Sequence, residues 1–375
     1  NIRFEENGNK NLTPAGKIRN GMAVLILNGE NVTIRNSWFY NSAGTNSVTL
    51  NGTGKGVLIE KNYWSVGGHG IPGNVNNTDF SFVYSEWTDT KILNNTIAQY
   101  PGNNRFSGGI EIHGSNSVAQ GNKISYCEPG IWIASMPNSI ENITVSGNTI
   151  ENSHRGIAFW RGKTLRNVTI NKNLITTKVI PAYAGGASYA ISIPTPSNGI
   201  WDADHADGGA IEDITISNNT LSDNNGILNE NNSLGILLTS LNRVRIVNNT
   251  LSNFNSIAIM LVGGPYGIND LNIEGNTIRN WGMSGDIYGK AAFHIDLSGS
   301  STVPPVPRFT ASNISIKNNN IAQDTARNSN IHAYFFTWPQ GAMTNLTVGN
   351  NMINANVGTL FAGDQGIAFS TSQNP

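Results

Sequence analysis

One short pattern recurs along the whole chain: an alternating strand, then Asn, one residue, and Ile or Leu. It is seen in "VLIEKNYW" (57–64), "ITVSGNTI" (143–150), "VTINKNLI" (168–175), "ITISNNTL" (214–221) and "VRIVNNTL" (244–251). It continues in "LNIEGNTI" (271–278), "ISIKNNNI" (314–321) and "LTVGNNMI" (346–353). The Asn column is Asn62, Asn95, Asn122, Asn148, Asn173, Asn219, Asn249, Asn276, Asn319 and Asn351, with steps of 33, 27, 26, 25, 46, 30, 27, 43 and 32 residues. A floor near 25 with occasional long steps describes one coil of a solenoid, with loops inserted where a coil is longer. An Asn at a tight corner tolerates the left-handed region and can bond its own backbone. Stacked coil on coil, it also forms an amide ladder. The N-x-S/T matches that result, such as Asn142-Ile143-Thr144, follow from the corner and do not require glycosylation.

A second strand column lies upstream in each coil: "GIEI" (109–112), "GIWI" (130–133), "GIAF" (156–159), "AISI" (190–193), "GILL" (235–238), "AIML" (258–261) and "AFHI" (292–295), with "FSFV" (80–83) and "HAYF" (332–335) placed in the same column. A small leading residue suits a crowded corner, and the two apolar positions point inward. Period-2 alternation without any ten-residue stretch of period 3.6 excludes a helical solenoid. The fold class predicted is all-β, a right-handed single-stranded parallel β-helix of about 11–12 coils. Residues 1–21 read as a lead-in and residues 22–375 as the β-helix domain. The closing "GIAFSTSQNP" begins another coil, which predicts a continuation or cap outside residues 1–375.

Composition narrows the function classes. Net charge is −1, with only 13% charged residues, so no broad basic surface calls for nucleic acid or an anionic membrane. No apolar run has the ~18–20 residues of a membrane span. A single cysteine, Cys127, excludes an internal disulfide and reads as a buried, silent thiol.

At the Gly-Ile-x-Ile strands and the Asn-x-Ile/Leu corners the chain resembles the pectate-lyase-like β-helix proteins over about residues 22–370. That group holds polysaccharide lyases, polysaccharide hydrolases and bacteriophage tailspike depolymerases. The resemblance implies a polysaccharide partner, a homotrimer, and an extracellular or virion location. No cofactor is expected beyond a possible structural cation. The fold alone does not choose the chemistry.

Candidate site residues come from strand register. Side chains between the inward residues face away from the core, and parallel stacking places neighbours ~4.8 Å apart. The first outward column reads Thr49, Ser81, Glu111, Trp132, Ala158, Ser192, Leu237, Met260, His294 and Tyr334. The second contains His113, Ala134, Trp160, Asp296 and Phe336. Glu111 and His113 therefore lie one coil below Trp132 and two below Trp160, where indole platforms suit sugar rings. Glu128 and His154, each two residues before a strand glycine, are expected to stack on neighbouring coils, with Arg155 and Arg161 beside them. Loops between strands, among them 195–213 with Trp201, are expected to wall a groove for a linear polymer.

In an endo-acting depolymerase of the hydrolase type, Glu111 is the acid candidate, because flanking indoles favour its protonated form. Glu128 is the base or nucleophile candidate, and His113 assists. Glu128 fits equally a corner salt bridge with His154 or Arg155. For a uronate polymer, β-elimination would use His113 or His154 as base and Arg155 or Arg161 against the sugar carboxylate. Few clustered basic residues make elimination the second choice. Asp202, Asp204 and Asp207 offer hard ligands for a structural cation, or form a polar lid. His294, Asp296 and Tyr334 mark a second possible centre. The competing classes are a non-catalytic glycan-binding adhesin or receptor-binding spike, and a purely structural spike segment.

Overall fold

The computed structural model describes residues 2–5, 22–42, 46–68, 80–101, 107–160, 162–179, 187–193, 211–225, 233–263, 267–282, 291–297, 310–323, 332–337, 342–355 and 365–370. The described strands pair in parallel with the strand one coil away, so each coil lies on the last as a right-handed β-helix. Three strand columns form the walls. The first holds Ser81–Ser85, Gly108–Ile112, Ile131–Ala134, Arg155–Trp160, Ser188–Ser192, Ser233–Thr239, Ile259–Val262 and Ala291–Asp296. The second holds the strands that precede the Asn column, such as Ile140–Ser146 and Leu165–Asn171. The third is a twelve-strand sheet of short strands that follow it, such as Lys123–Ser125 and Thr149–Ser153. Val24–Arg35 and Asn46–Glu60 are long enough to run across the first and second walls without a break. The strand Arg3–Glu5, inside the expected lead-in, already pairs with Trp38–Ser42 in the third wall.

The interior is a set of apolar rows. Ile110, Ile131, Ile157, Ile191, Ile236 and Ile259 stack on the first wall, and Ile97, Ile124, Ile150, Ile175, Leu221 and Leu251 on the third. All are essentially inaccessible. Aromatic rings continue the rows near residue 4, where Phe4, Phe39 and Trp64 stack face to face at 4.7 and 4.8 Å. The small residue before each first-wall strand is required by backbone approach. A Cβ at Gly130 would lie 2.7 Å from the Gly156 carbonyl oxygen, and one at Gly109 2.4 Å from that of Gly130.

The Asn column is the predicted ladder, with a different corner chemistry. From Asn62 to Asn351 each side-chain amide donates to the Oδ1 of the next Asn at 2.9–3.1 Å. The same Oδ1 accepts the backbone N–H of the Asn below. The second amide hydrogen goes to a strand carbonyl such as Ala119 or Val145. The ladder Asn thus serves its neighbours, and the left-handed backbone falls on the residue before it: Lys61, Asn94, Gly121, Gly147, Lys172, Asn218, Asn248, Gly275, Asn318 and Asn350. Asn142 belongs to a separate, exposed ladder, linked to Asn116 at 2.8 Å and Asn167 at 2.7 Å, and all three are left-handed.

Candidate functional site

Register on the first wall confirms the row Glu111, Trp132, Ala158, Ser192, Leu237, Met260 and His294. It corrects both ends. The residue opposite Glu111 on the preceding strand is Tyr84, and Ser81 pairs with Gly108. The residue opposite His294 is Phe335, while Tyr334 lies against Phe293 in the core, rings stacked at 5.1 Å and 1% exposed. Phe336 is inward as well, paired with Ile295. Tyr334 therefore leaves the second candidate centre, because its strand is one residue out of the expected register. His294 and Asp296 keep their outward positions beside Met260 and Val262, four strands beyond Trp160.

The corrected register brings in Glu86. It sits two residues after Tyr84, next to His113, whose backbone N–H donates to the Ser85 carbonyl. Two adjacent strands thus present Tyr84 and Glu86 on one and Glu111 and His113 on the other. Each pair is hydrogen-bonded within its strand. The Tyr84 hydroxyl donates to Glu86 Oε1 at 2.7 Å, and His113 Nε2 lies 2.8 Å from Glu111 Oε1. Across the strands the Tyr84 and His113 rings meet at 4.8 Å with a 42° tilt. Ser81 donates to Glu111 Oε2 at 2.7 Å, and the Gly52 N–H donates to Glu86 Oε2 at 2.8 Å. His113 Nδ1 is 2.6 Å from the Met136 carbonyl oxygen.

Trp87 holds this corner in place. Its indole is fully buried and donates to the Asn51 carbonyl at 3.0 Å. Glycines make room for it: a Cβ at Gly54 would lie 2.2 Å from the ring, and one at Gly114 2.0 Å from the Trp87 carbonyl. Glu86, one residue before so tightly seated a side chain, has little freedom to move.

The indoles occupy the next two coils. Trp132 pairs with Ala158, and Trp160 pairs with Ala134. The two small partners let the large rings lean toward each other, 4.9 Å apart and 34° from parallel. Trp160 is 40% exposed and offers a ring to solvent, whereas Trp132 is 7% exposed. Arg155 lies over the Trp132 ring, its Cζ 5.6 Å from the centroid, a cation–π contact.

Glu128 is the main departure from expectation. It is wholly buried at the corner, where its carboxylate accepts from the Arg155 Nε and, at 2.7 Å, from the Arg155 backbone N–H. The corner salt bridge is the reading that fits; a carboxylate sealed there cannot reach a polymer on the outer face. His154 is also buried, at 4% exposed. Burial, with the Arg155 charge, holds its pKa below the ordinary range despite the opposing pull of Glu128, so it is neutral near pH 7. Cys127 is buried beside them. Burial first, and the Glu128 charge second, drive its pKa strongly upward, which leaves an inert thiol.

His113 behaves oppositely. Burial pushes its pKa down, but the hydrogen bond and charge of Glu111, the Met136 carbonyl and the Glu86 charge outweigh it, and the imidazolium is favoured. Glu111, at 8% exposed, and His113 lie outside the apolar core yet are largely shielded. Arg161, Trp201, Asp202, Asp204 and Asp207 lie outside the described residues. Among the described residues no cluster of three His, Cys, Asp or Glu side chains could hold a metal ion.

Comparison with known proteins bears on the fold. A mutant tailspike protein of E. coli bacteriophage HK620 in complex with a pentasaccharide superposes with a TM-score of 0.56 at 14% identity, over 85% of this chain and 55% of that one. A tailspike protein of the same bacteriophage in complex with pentasaccharide gives 0.51 at 16% identity, over 88% and 58%. The catalytic unit of a thermostable GH87 alpha-1,3-glucanase from Streptomyces thermodiastaticus strain HF3-3 gives 0.46 at 12%, over 92% and 61%. The chain spans just over half the length of the tailspikes it resembles. No curated protein sequence matches it. Residues 10–207 match the family described as right handed beta helix region. Its coil repeat, its parallel pairing and that match together make this chain a member of the right-handed β-helix family.

Proposed function

We propose that the chain binds a surface or capsular polysaccharide along the first wall and cuts it internally by hydrolysis. One observation carries this reading: two carboxylates and an imidazole, Glu86, Glu111 and His113, converge on the outer face beside the Trp132–Trp160 pair. Ring faces of this kind accept the apolar face of a pyranose.

Glycoside hydrolysis needs a proton for the leaving oxygen and a carboxylate for water or the anomeric carbon. The Glu111–His113 pair holds the proton. Glu86 replaces Glu128 as the second carboxylate, held by Tyr84 and the Gly52 N–H. When the glycosidic C–O bond breaks, the proton passes to the departing sugar. Glu86 then takes a proton from the incoming water, or bonds to the sugar until water displaces it. Trp160 supplies the platform, and Arg155, neutralised by Glu128, positions Trp132. A homotrimer and an extracellular or virion location belong to the same reading, by likeness to tailspikes.

The test is incubation with capsular and exopolysaccharides, scoring new reducing ends. Wild type is expected to release them, with Glu86→Gln and Glu111→Gln lowering the rate at least ~100-fold. Absorbance from an unsaturated uronate would assign elimination instead. Binding without any product would make the protein an adhesin.

A further inference from the structure

The third wall carries a feature that the hydrolytic reading does not use. Large aromatic side chains in this fold belong to the core, yet Trp38, Tyr40 and Tyr63 stand on the outer face of that sheet at 48%, 38% and 37% exposure. Trp38 and Tyr63 are direct neighbours on adjacent strands, ring centroids 5.4 Å apart and nearly perpendicular. Arg3 lies over Trp38, Cζ 5.4 Å from the ring centroid, and pairs with Glu5 at 2.8 Å. Register extends the row without a gap: Arg3, Trp38, Tyr63, Thr96, Lys123, Thr149. A shallow depression of about 440 Å³ opens along its far part, lined by Thr96, Lys123, Ser125, Thr149 and Glu151.

We propose that this face is a second glycan-binding surface, taking one extended stretch of a hydroxyl-rich, largely neutral polysaccharide. The aromatic part meets the apolar faces of sugar rings, and the hydroxyls, ammonium and carboxylate beyond it meet their edges. The strand spacing of ~4.8 Å is comparable to the rise of a pyranose along an extended chain, so successive sugars fall on successive strands. The lining argues against the other occupants. A protein interface has a core depleted of charge, whereas these rings are flanked by Arg3 and Glu5 on one side and, beyond the Thr96 strand, by Lys123 and Glu151 on the other. Nucleic acid needs an excess of cations, and the two cations named here, Arg3 and Lys123, are equalled in number by the carboxylates Glu5 and Glu151. Because the surface lies on a different wall from Glu111, it acts as an anchor that raises avidity for long polymer.

The experiment uses immobilised bacterial capsular and exopolysaccharides with four proteins: wild type, Trp160→Ala, Trp38→Ala/Tyr63→Ala, and the triple variant. The exposed positions leave the core untouched, which circular dichroism verifies. Trp160→Ala is expected to keep polymer binding and the triple variant to lose it. Trp38→Ala/Tyr63→Ala should lose at least ~10-fold in apparent affinity while cleaving short oligosaccharides at the wild-type rate. Loss of all binding in Trp160→Ala alone overturns the second surface and leaves the hydrolytic reading standing. Polymer binding that requires Trp38 and Tyr63, without cleavage by wild type, supports the surface and overturns hydrolysis. A wild type that binds no polysaccharide overturns both. A smaller particle for Trp38→Ala/Tyr63→Ala in sedimentation assigns the face to a second copy of the chain and overturns the proposal.

Discussion

His113 is held at both ring nitrogens, and the contacts together locate its protons. The Met136 carbonyl only accepts, so Nδ1 carries hydrogen; Nε2 faces a carboxylate oxygen at 2.8 Å, so a proton lies between them. Glu111 and His113 therefore share a transferable proton, and the raised pKa of His113 places it on the ring. The folded pKa exceeds the unfolded value, so the pair's stabilisation is complete below the ordinary 6.5 and is lost as pH climbs through the folded value. An NMR titration of the ring is expected to show a midpoint above 6.5, falling in Glu111→Gln, and activity should share that alkaline limb. Glu128 makes a contrasting prediction. Removing the carboxylate strands Arg155 at a sealed corner, so Glu128→Ala should cost about 3–5 kcal/mol in denaturant unfolding without moving the His113 midpoint. Alternation and small leading glycines made Glu111, His113, Trp132 and Trp160 legible in the sequence. Glu86 and Tyr84 were hidden because Phe82 and Val83 are consecutive buried residues, which offers two registers three residues apart. The useful signal was Trp87, an indole seated against Gly29 and Gly54, with Gly114 against its backbone carbonyl. Burial of Glu128 could not be read from spacing at all, since a corner carboxylate turns inward or outward according to its partner.

At the scale of single elements, the Asn ladder explains how a chain with no disulfide and few charges closes its corners. Asn148 shows the bonding in full. Its Oδ1 accepts from the Asn122 backbone and amide, and its Nδ2 donates to Asn173 Oδ1 and the Ala119 carbonyl. Four partners lose a contact in Asn148→Ala, and a buried group left unpaired costs about 1–3 kcal/mol. Denaturant unfolding is expected to show a loss at the upper end of that range or beyond. Asn148→Asp should be worse at neutral pH than at pH 4, because it sets a carboxylate against the Asn173 carbonyl oxygen in place of a donor. Equal losses at both pH values would mean that the ladder contributes through shape alone. The repeat made this column visible, but not the short strands that follow it. A three-residue strand such as Lys123–Ser125 buries one side chain, Ile124, and a single inward residue has no alternation to detect. The third wall thus reads as a corner in the sequence, and the aromatic row upon it becomes visible only when Arg3, Trp38 and Tyr63 are aligned by pairing.

For the whole molecule, the pairing pattern makes stability nearly one-dimensional. Among the described residues each strand pairs only with the strands one coil before and after it, so the free energy is close to a sum of coil terms and interfaces between neighbours. Deleting a coil in phase should therefore shorten the solenoid without disrupting it. Removal of residues 219–248 joins Asn218 to Asn249 and takes out Thr220–Asp223, Ser233–Thr239 and Leu241–Val247. The coils brought together are already matched. Ile211, Ile214 and Ile216 would meet Ile268, Leu271 and Ile273, Ile175 would meet Leu251, and the Asn173 amide would find Asn249 in place of Asn219. The site lies upstream of the cut, on strands that pair among themselves from Ser81 to Trp160. The shortened chain is expected to unfold in one cooperative step with a lower m-value, in proportion to the surface it no longer buries. It should retain the elevated His113 midpoint of the full chain. A deletion of 219–247, one residue shorter, puts polar residues into the apolar rows and should fail to fold. If both deletions behave alike, the stack is tolerant of register, and the side-chain rows that build the site are not what holds the coils together.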